Sequence, residues 1–150
     1  MRYLFSLTFL LSLSLTFGQA KYNRILNSID DNKANYSKIA QQIWSHAEMG
    51  YQESQSSALL QKTLEYEGFK ITAGVAEIPT AFIATYGSGG PVIAILGEYD
   101  ALPGLSQKAL PYKVSNEGKA GHACGHHLFG TASAAAAIAL KNYLIAENKP

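Results

Sequence analysis

The chain has a single cysteine, so no disulfide can form within it. It also lacks an excess of either charge: 12 Lys and Arg stand against 11 Asp and Glu, for a net charge of +1. The basic residues are scattered, and no polybasic patch marks a nucleic-acid partner or an anionic membrane surface. A c-type haem attachment needs two cysteines ahead of a histidine, and that pattern is absent. No internal repeat occurs, and the only biased run is the alanine stretch Ala134 to Ala137. Only 15% of residues are charged while 47% are hydrophobic, a balance that buries a core and excludes disorder by composition. At 150 residues the chain makes one domain of ordinary size or part of a larger one.

The first twenty residues read as a secretory signal. Met1-Arg2-Tyr3 is a short positive start, and Leu4 to Phe17 is an apolar run relieved only by serines and threonines. Gly18-Gln19-Ala20 supplies small residues where a signal peptidase cuts. The run is shorter than the ~20 residues that span a bilayer, so no stable membrane partner is expected. No cysteine follows it, which argues against a lipid-anchored form. The expectation is an exported protein, periplasmic or secreted, with residues 1–20 removed and residues 21–150 as the mature part. Exported cysteines usually pair. Cys124 has no partner in the chain, which leaves an inert buried thiol, an intermolecular bridge or a metal ligand.

The stretch Gly121-His122-Ala123-Cys124-Gly125-His126-His127 holds that cysteine and three of the 4 histidines. A thiolate and several imidazoles on one glycine-flanked loop suit a transition metal. The bland alternative is a buried thiol with histidines nearby.

Taken in order, apolar positions three and four apart predict an amphipathic helix from Tyr22 to about His46, open to interruption between Asp30 and Asn35. Gly50 marks a turn. A second helix is predicted from Ser54, read as its N-cap, to Gly68 as the glycine beyond its C-terminus, with Phe69 as the following hydrophobic contact. The pattern then becomes extended. Strands are predicted at Lys70 to Val75, Thr80 to Tyr86 and Pro91 to Glu98, with a hairpin at Gly87 to Gly90. The continuous apolar run Val92 to Leu96 predicts a central strand covered on both faces. Just beyond it, Glu98 and Asp100 are two residues apart and would point to one side, where ligands gather in α/β folds. Gln107 to Lys119 reads as a polar connection. Leu128 to about Glu147 reads as a helix whose small residues allow close packing, and whose N-terminus favours a nearby thiolate.

Gly97-Glu98-Tyr99-Asp100-Ala101-Leu102-Pro103, followed by Gly121-His122-Ala123-Cys124-Gly125-His126, resembles the di-metal amidohydrolases and metallopeptidases related to aminoacylase and glutamate carboxypeptidase. The branch most similar holds aminobenzoyl-glutamate and hippurate hydrolases. Ile43-Trp44, Gly50-Tyr51-Gln52-Glu53 and Gly68-Phe69 also look like the start of that catalytic domain.

The resemblance implies an α/β fold, the N-terminal part of a three-layer α/β/α metallopeptidase catalytic domain with a mixed sheet. It implies two divalent metal ions, zinc or manganese with cobalt as a further option. Cys124 and His126 would be metal ligands, and Asp100 the carboxylate that orients a metal-binding imidazole. Glu98 stands where carboxypeptidase-like relatives have a metal-binding histidine, with its role here open. His127 departs from the Asp or Asn usual at its position, and His122 reads as structural. The implied reaction is hydrolysis of an amide in an N-acyl or aminobenzoyl amino acid, or a small peptide, by a metal-activated water in a homodimeric enzyme. The general-base Glu-Glu motif expected after the next strand is not among the 150 residues, so the chain carries an N-terminal half-site and is expected to be inactive alone. The competing expectations are a non-catalytic metal-binding or interaction module and an inactive truncated remnant.

Overall fold

The computed structural model describes residues 22–149, and the expected signal segment 1–20 lies outside them. The predicted first helix is two helices: α1 over residues 22–30 and α2 over Lys33–His46, broken at residues 31–32. The break falls inside the polar patch that permitted it. Asn32 accepts from the Tyr36 N–H at 3.1 Å, and its side chain donates back to the Ser28 carbonyl at 2.9 Å. This local bonding competes with a continuous helix. α2 buries Ile39, Ala40 and Ile43, one stripe of its surface. Its last turn closes on Ala47, left-handed at φ 45°, whose N–H reaches the Ile43 carbonyl at 3.2 Å.

α3 spans Ser54–Tyr66, but Ser54 does not cap it through its own side chain; the cap position is Glu53, which makes no side-chain cap bond. The cap comes from Glu48 in the preceding turn. Glu48 Oε1 accepts from the Gln55 N–H at 3.0 Å, and Oε2 accepts from the Ser56 N–H and hydroxyl, both at 2.8 Å. A carboxylate is a stronger acceptor than a hydroxyl and matches the positive end of the helix dipole. At the other end the glycine reading holds. Gly68 is left-handed at φ +88°, its N–H reaches the Glu65 carbonyl at 2.9 Å, and the Phe69 N–H reaches Leu64 at 3.0 Å. Phe69 then packs into the core beside Leu64, the contact such a terminus usually carries.

β1 (Lys70–Ala73) and β2 (Phe82–Thr85) form an antiparallel pair with Ile71 opposite Ala84, and a short 3₁₀ turn at Val75–Glu77 lies between them. Ile71, Phe82 and Ala84 pack on the core while Ile83 faces out, the alternation of a sheet with one covered face. β3 (Leu102–Pro103) pairs with β4 (Ala120–Gly121), also antiparallel, and an isolated parallel bridge joins Met49 to Ala101.

The predicted third strand and its hairpin are not formed. Residues 91–98 are without regular structure, and Val92 and Leu96 are 86% and 71% exposed. An apolar strand of this kind needs neighbouring strands for its backbone and cover for both faces. The described residues supply neither along most of its length. Only its end is held, by the Ser133 hydroxyl donating to the Leu96 carbonyl at 2.5 Å.

α4 (His126–Ala146) begins two residues ahead of its predicted start, on the histidines themselves. By length and composition alone it is apolar enough to cross a membrane. Here it packs on α2 and α3, with Ala134 and Ile138 joining Ile39, Ile43, Leu60, Leu64 and Phe69 in the core. Its small residues permit close approach. A Cβ added at Gly130 would stand 2.8 Å from the Glu98 carbonyl oxygen and 3.2 Å from Tyr99 Cβ. Lys141, buried on the same helix, donates to the carbonyl and to the carboxylate of Glu67, both at 2.8 Å, tying α4 to the end of α3. Helices and small sheets around one core make a partial α/β domain, the class the sequence predicts.

Candidate metal centre

Glu98 and Asp100 both reach His126, while Tyr99 between them turns to Thr80. Tyr99 is the anchor. Its hydroxyl donates to the Thr80 carbonyl at 2.5 Å, and its ring stacks on Phe82 with centroids 6.2 Å apart. Burial raises the Tyr99 phenol above its ordinary pKa, opposed by the Ser57 hydrogen bond and supported by the charge of Glu53. It therefore stays a neutral donor. The next residue is fixed as well, since the Ala101 N–H donates to the Glu48 carbonyl at 2.7 Å. The turn that caps α3 thus also holds the carboxylate segment.

His126, the first residue of α4, meets both carboxylates. Nδ1 lies 2.8 Å from Asp100 Oδ1, and Nε2 lies 3.0 Å from Glu98 Oε2. One ligand atom from each of the three residues lies within 4.8 Å of the others. With Nδ1–H donating to Asp100, the lone pair of Nε2 faces a carboxylate oxygen, a repulsive contact unless a positive charge is shared between them. A bound cation would provide that charge. Imidazole with carboxylate oxygens is a donor set for zinc or manganese, and an imidazole held by a carboxylate through its other nitrogen is the usual arrangement around such ions. The residues present fit a divalent metal.

The other sequence candidates divide. Cys124 is exposed on the same loop and stands outside the three-residue cluster. His122 is 4% exposed, and its Nε2–H donates to the Ile43 carbonyl at 3.0 Å. Its ring lies against His127, with centroids 5.0 Å apart. Burial pushes both imidazoles below their ordinary pKa, and for His127 the neighbouring His122 adds to it. Both are therefore neutral near pH 7. The Nδ1 atoms of His122 and His127 and Glu53 Oε2 are buried without a hydrogen-bond partner among the described residues.

Sequence reasoning left the role of Glu98 open, and the structure brings it to His126. The signal was its spacing from Asp100. Glu48 was missed altogether. The one hint was that α3 has no acidic residue in its own first turn, leaving its amides to an acceptor from elsewhere.

The chain matches no protein-family model. It is 50% identical over 129 residues to a subunit of the p-aminobenzoyl-glutamate hydrolase of Escherichia coli (strain K12), covering 84% of this chain and 27% of that protein. It is 38% identical over 106 residues to N-acetylcysteine deacetylase of Bacillus subtilis (strain 168), covering 69% of this chain and 27% of that protein. With hippurate hydrolase of Campylobacter jejuni subsp. jejuni it shares 27% identity over 121 residues, covering 79% of this chain and 31% of the relative. The chain spans about a quarter to a third of the length of these relatives. Across that span it is a homologue of these hydrolases.

Proposed function

We propose that this chain is the N-terminal part, residues 21–150, of the catalytic domain of a metal-dependent amidohydrolase. Its substrate would be an N-acyl or aminobenzoyl amino acid, cleaved at the amide bond. The reading rests above all on the convergence of Glu98 and Asp100 on His126. The 50% identity to part of an aminobenzoyl-glutamate hydrolase supports the substrate class.

In this reading His126 Nε2 and the Cys124 sulfur would hold a divalent metal, zinc or manganese, with the rest of a two-metal ligand set supplied by other parts of a full-length enzyme. Bound divalent ions supply acidity to a water molecule near neutral pH and polarise the scissile carbonyl. Asp100 keeps the proton on His126 Nδ1, which directs the Nε2 lone pair outward. Glu98 places a second negative charge at that nitrogen and favours a cation there. The neutral Tyr99 and the buried Thr80 hold the carboxylates in place without adding charge. The chain alone carries half a site and is inactive. The whole enzyme is an exported homodimer acting on a small-molecule amide, with residues 1–20 as its signal.

A second reading is a non-catalytic metal-binding module, favoured by one fact: three donors already converge within this chain. Two measurements separate the readings. Zinc and manganese content is determined for the purified protein, for Cys124→Ala and for His126→Asn; metal equal to wild type in either variant removes that residue from the ligand set. The chain is then fused to the remainder of the Escherichia coli relative and assayed for p-aminobenzoate release from p-aminobenzoyl-glutamate. Activity in the fusion, lost in Asp100→Ala, supports the hydrolase. A folded, metal-loaded and inactive fusion leaves the module reading.

A further inference from the structure

We infer that His122 is the positioning residue of the Cys124/His126 loop, a peg that sets where the metal ligands stand. The inference rests on the metal-centre reading above and goes beyond it, because His122 itself holds no metal.

Three contacts converge on this one residue. Its Nε2–H donates to the Ile43 carbonyl at 3.0 Å, across 79 residues of chain. Ile43 is the most deeply buried side chain of α2, at 0% exposure, so the acceptor belongs to a residue packed fully inside the core. That carbonyl lies in the last turn of α2 and already accepts the Ala47 N–H at 3.2 Å, so His122 takes its second lone pair. The main chain of His122 does a second job. Its carbonyl accepts the Gly125 N–H at 3.1 Å, closing a four-residue turn. Cys124 sits inside that turn and His126 immediately follows it. The ring does a third, lying against His127 on the first turn of α4.

Between His122 and His126 the side chains of the loop have no comparable hold. Ala123 and Cys124 are exposed, and Gly125 is left-handed at φ +79°. On the entry side, Gly121 is paired with Leu102. Leu102 follows Asp100 by two residues, so β3 and β4 tie the entry of the loop to the carboxylate segment. One rotation of the turn about its entry would move Cys124 and His126 together relative to Asp100. The His126 contacts with Asp100 and Glu98 resist that rotation at the far end of the turn, and the His122 ring, sunk into the core, resists it at the start.

The contact requires a donor at the reach of Nε2. Glutamine places its amide nitrogen at a similar reach, asparagine falls short, and leucine fills the space without a donor. Zinc affinity is measured by competition with a chromophoric chelator for wild type, His122→Gln, His122→Asn, His122→Leu and His126→Asn. Circular dichroism and thermal unfolding accompany each, with binding read well below the melting temperature. Loss of an outer partner of this kind costs about tenfold in metal affinity. The expected result is that loss in His122→Leu and His122→Asn, with His122→Gln within about threefold of wild type. Equal affinity in the glutamine and asparagine variants overturns the inference, and that pair decides if the leucine variant does not fold. Wild-type protein that binds no zinc, or binds it undiminished in His126→Asn, overturns the metal-centre reading and this inference with it. Normal binding in wild type, lost in His126→Asn and unchanged in every His122 variant, overturns this inference alone.

Discussion

Asp100 Oδ1 lies 2.8 Å from His126 Nδ1, joining the end of the carboxylate segment to the first residue of α4 across 26 residues of chain. The contact favours the proton on Nδ1 and leaves the Nε2 lone pair, beside Glu98, to a cation. Asp100→Asn keeps the shape but removes the charge that holds the proton on Nδ1. A tenfold to hundredfold loss of zinc affinity is expected, on the order of other outer carboxylate partners. Chelator competition measures it, and unchanged affinity would show that Asp100 does not orient His126.

Glu48 gives a prediction about acid stability. Burial alone would raise its carboxyl, but the backbone N–H groups of Gln55 and Ser56 and their side chains outweigh it and hold the pKa below the ordinary carboxylate value. A group with a lowered folded-state pKa stabilises fully above its unfolded value, and the contribution is lost as pH falls through the folded value. Glu48→Gln should therefore cost about 1–2 kcal/mol near pH 7. The gap to wild type should close as the pH drops below the ordinary carboxylate range. Urea unfolding at several pH values tests this; a gap independent of pH would contradict it.

Gly130→Ala sets two effects against each other. Removing a glycine from a helix interior gains about 1 kcal/mol. The new Cβ would stand 2.8 Å from the Glu98 carbonyl oxygen, which is backbone and cannot swing aside. Overpacking of this kind costs about 1–3 kcal/mol, so a net loss of up to about 2 kcal/mol is expected. The carboxylate segment should also shift away from α4, lowering zinc affinity. A rise in melting temperature with affinity intact would show that the segment yields freely.

The open segment 91–98 makes the chain prone to self-association. Ile93 is exposed, and no charge interrupts the apolar run 92–96. Unpaired apolar extended chain is a template for edge-to-edge pairing. Ile93→Lys should lower light scattering on warming without lowering the melting temperature. Equal scattering in the two proteins would place the association elsewhere.

Much of the fold was legible because its causes are local. The apolar spacing of α2 and α3 is a property of neighbours three and four apart, and Gly68 with Phe69 ends α3 through bonds confined to one turn. The break between α1 and α2 lay within the polar stretch that allowed it. The third strand misled because its apolar run records what must cover it, and those groups are not among residues 22–149. Ser54 misled for a different reason. Its local capping role was taken by a charged acceptor that only the fold of the turn at residues 47–53 brings close.

The candidate site divides along the same line. By itself the sequence determined its chemistry: one thiol, three imidazoles on a glycine-flanked loop, and two carboxylates two residues apart. Side-chain type and short spacing are local facts, and they sufficed to point to a family and to suggest a metal site. Only the tertiary structure decided that Glu98 and Asp100 both meet His126, that Cys124 stands outside that cluster, and that His122 turns inward to Ile43. Those are contacts between segments far apart in the chain, set by how α4 packs on α2 and by the pairing of β3 with β4. Spacing along the chain carries no record of such packing.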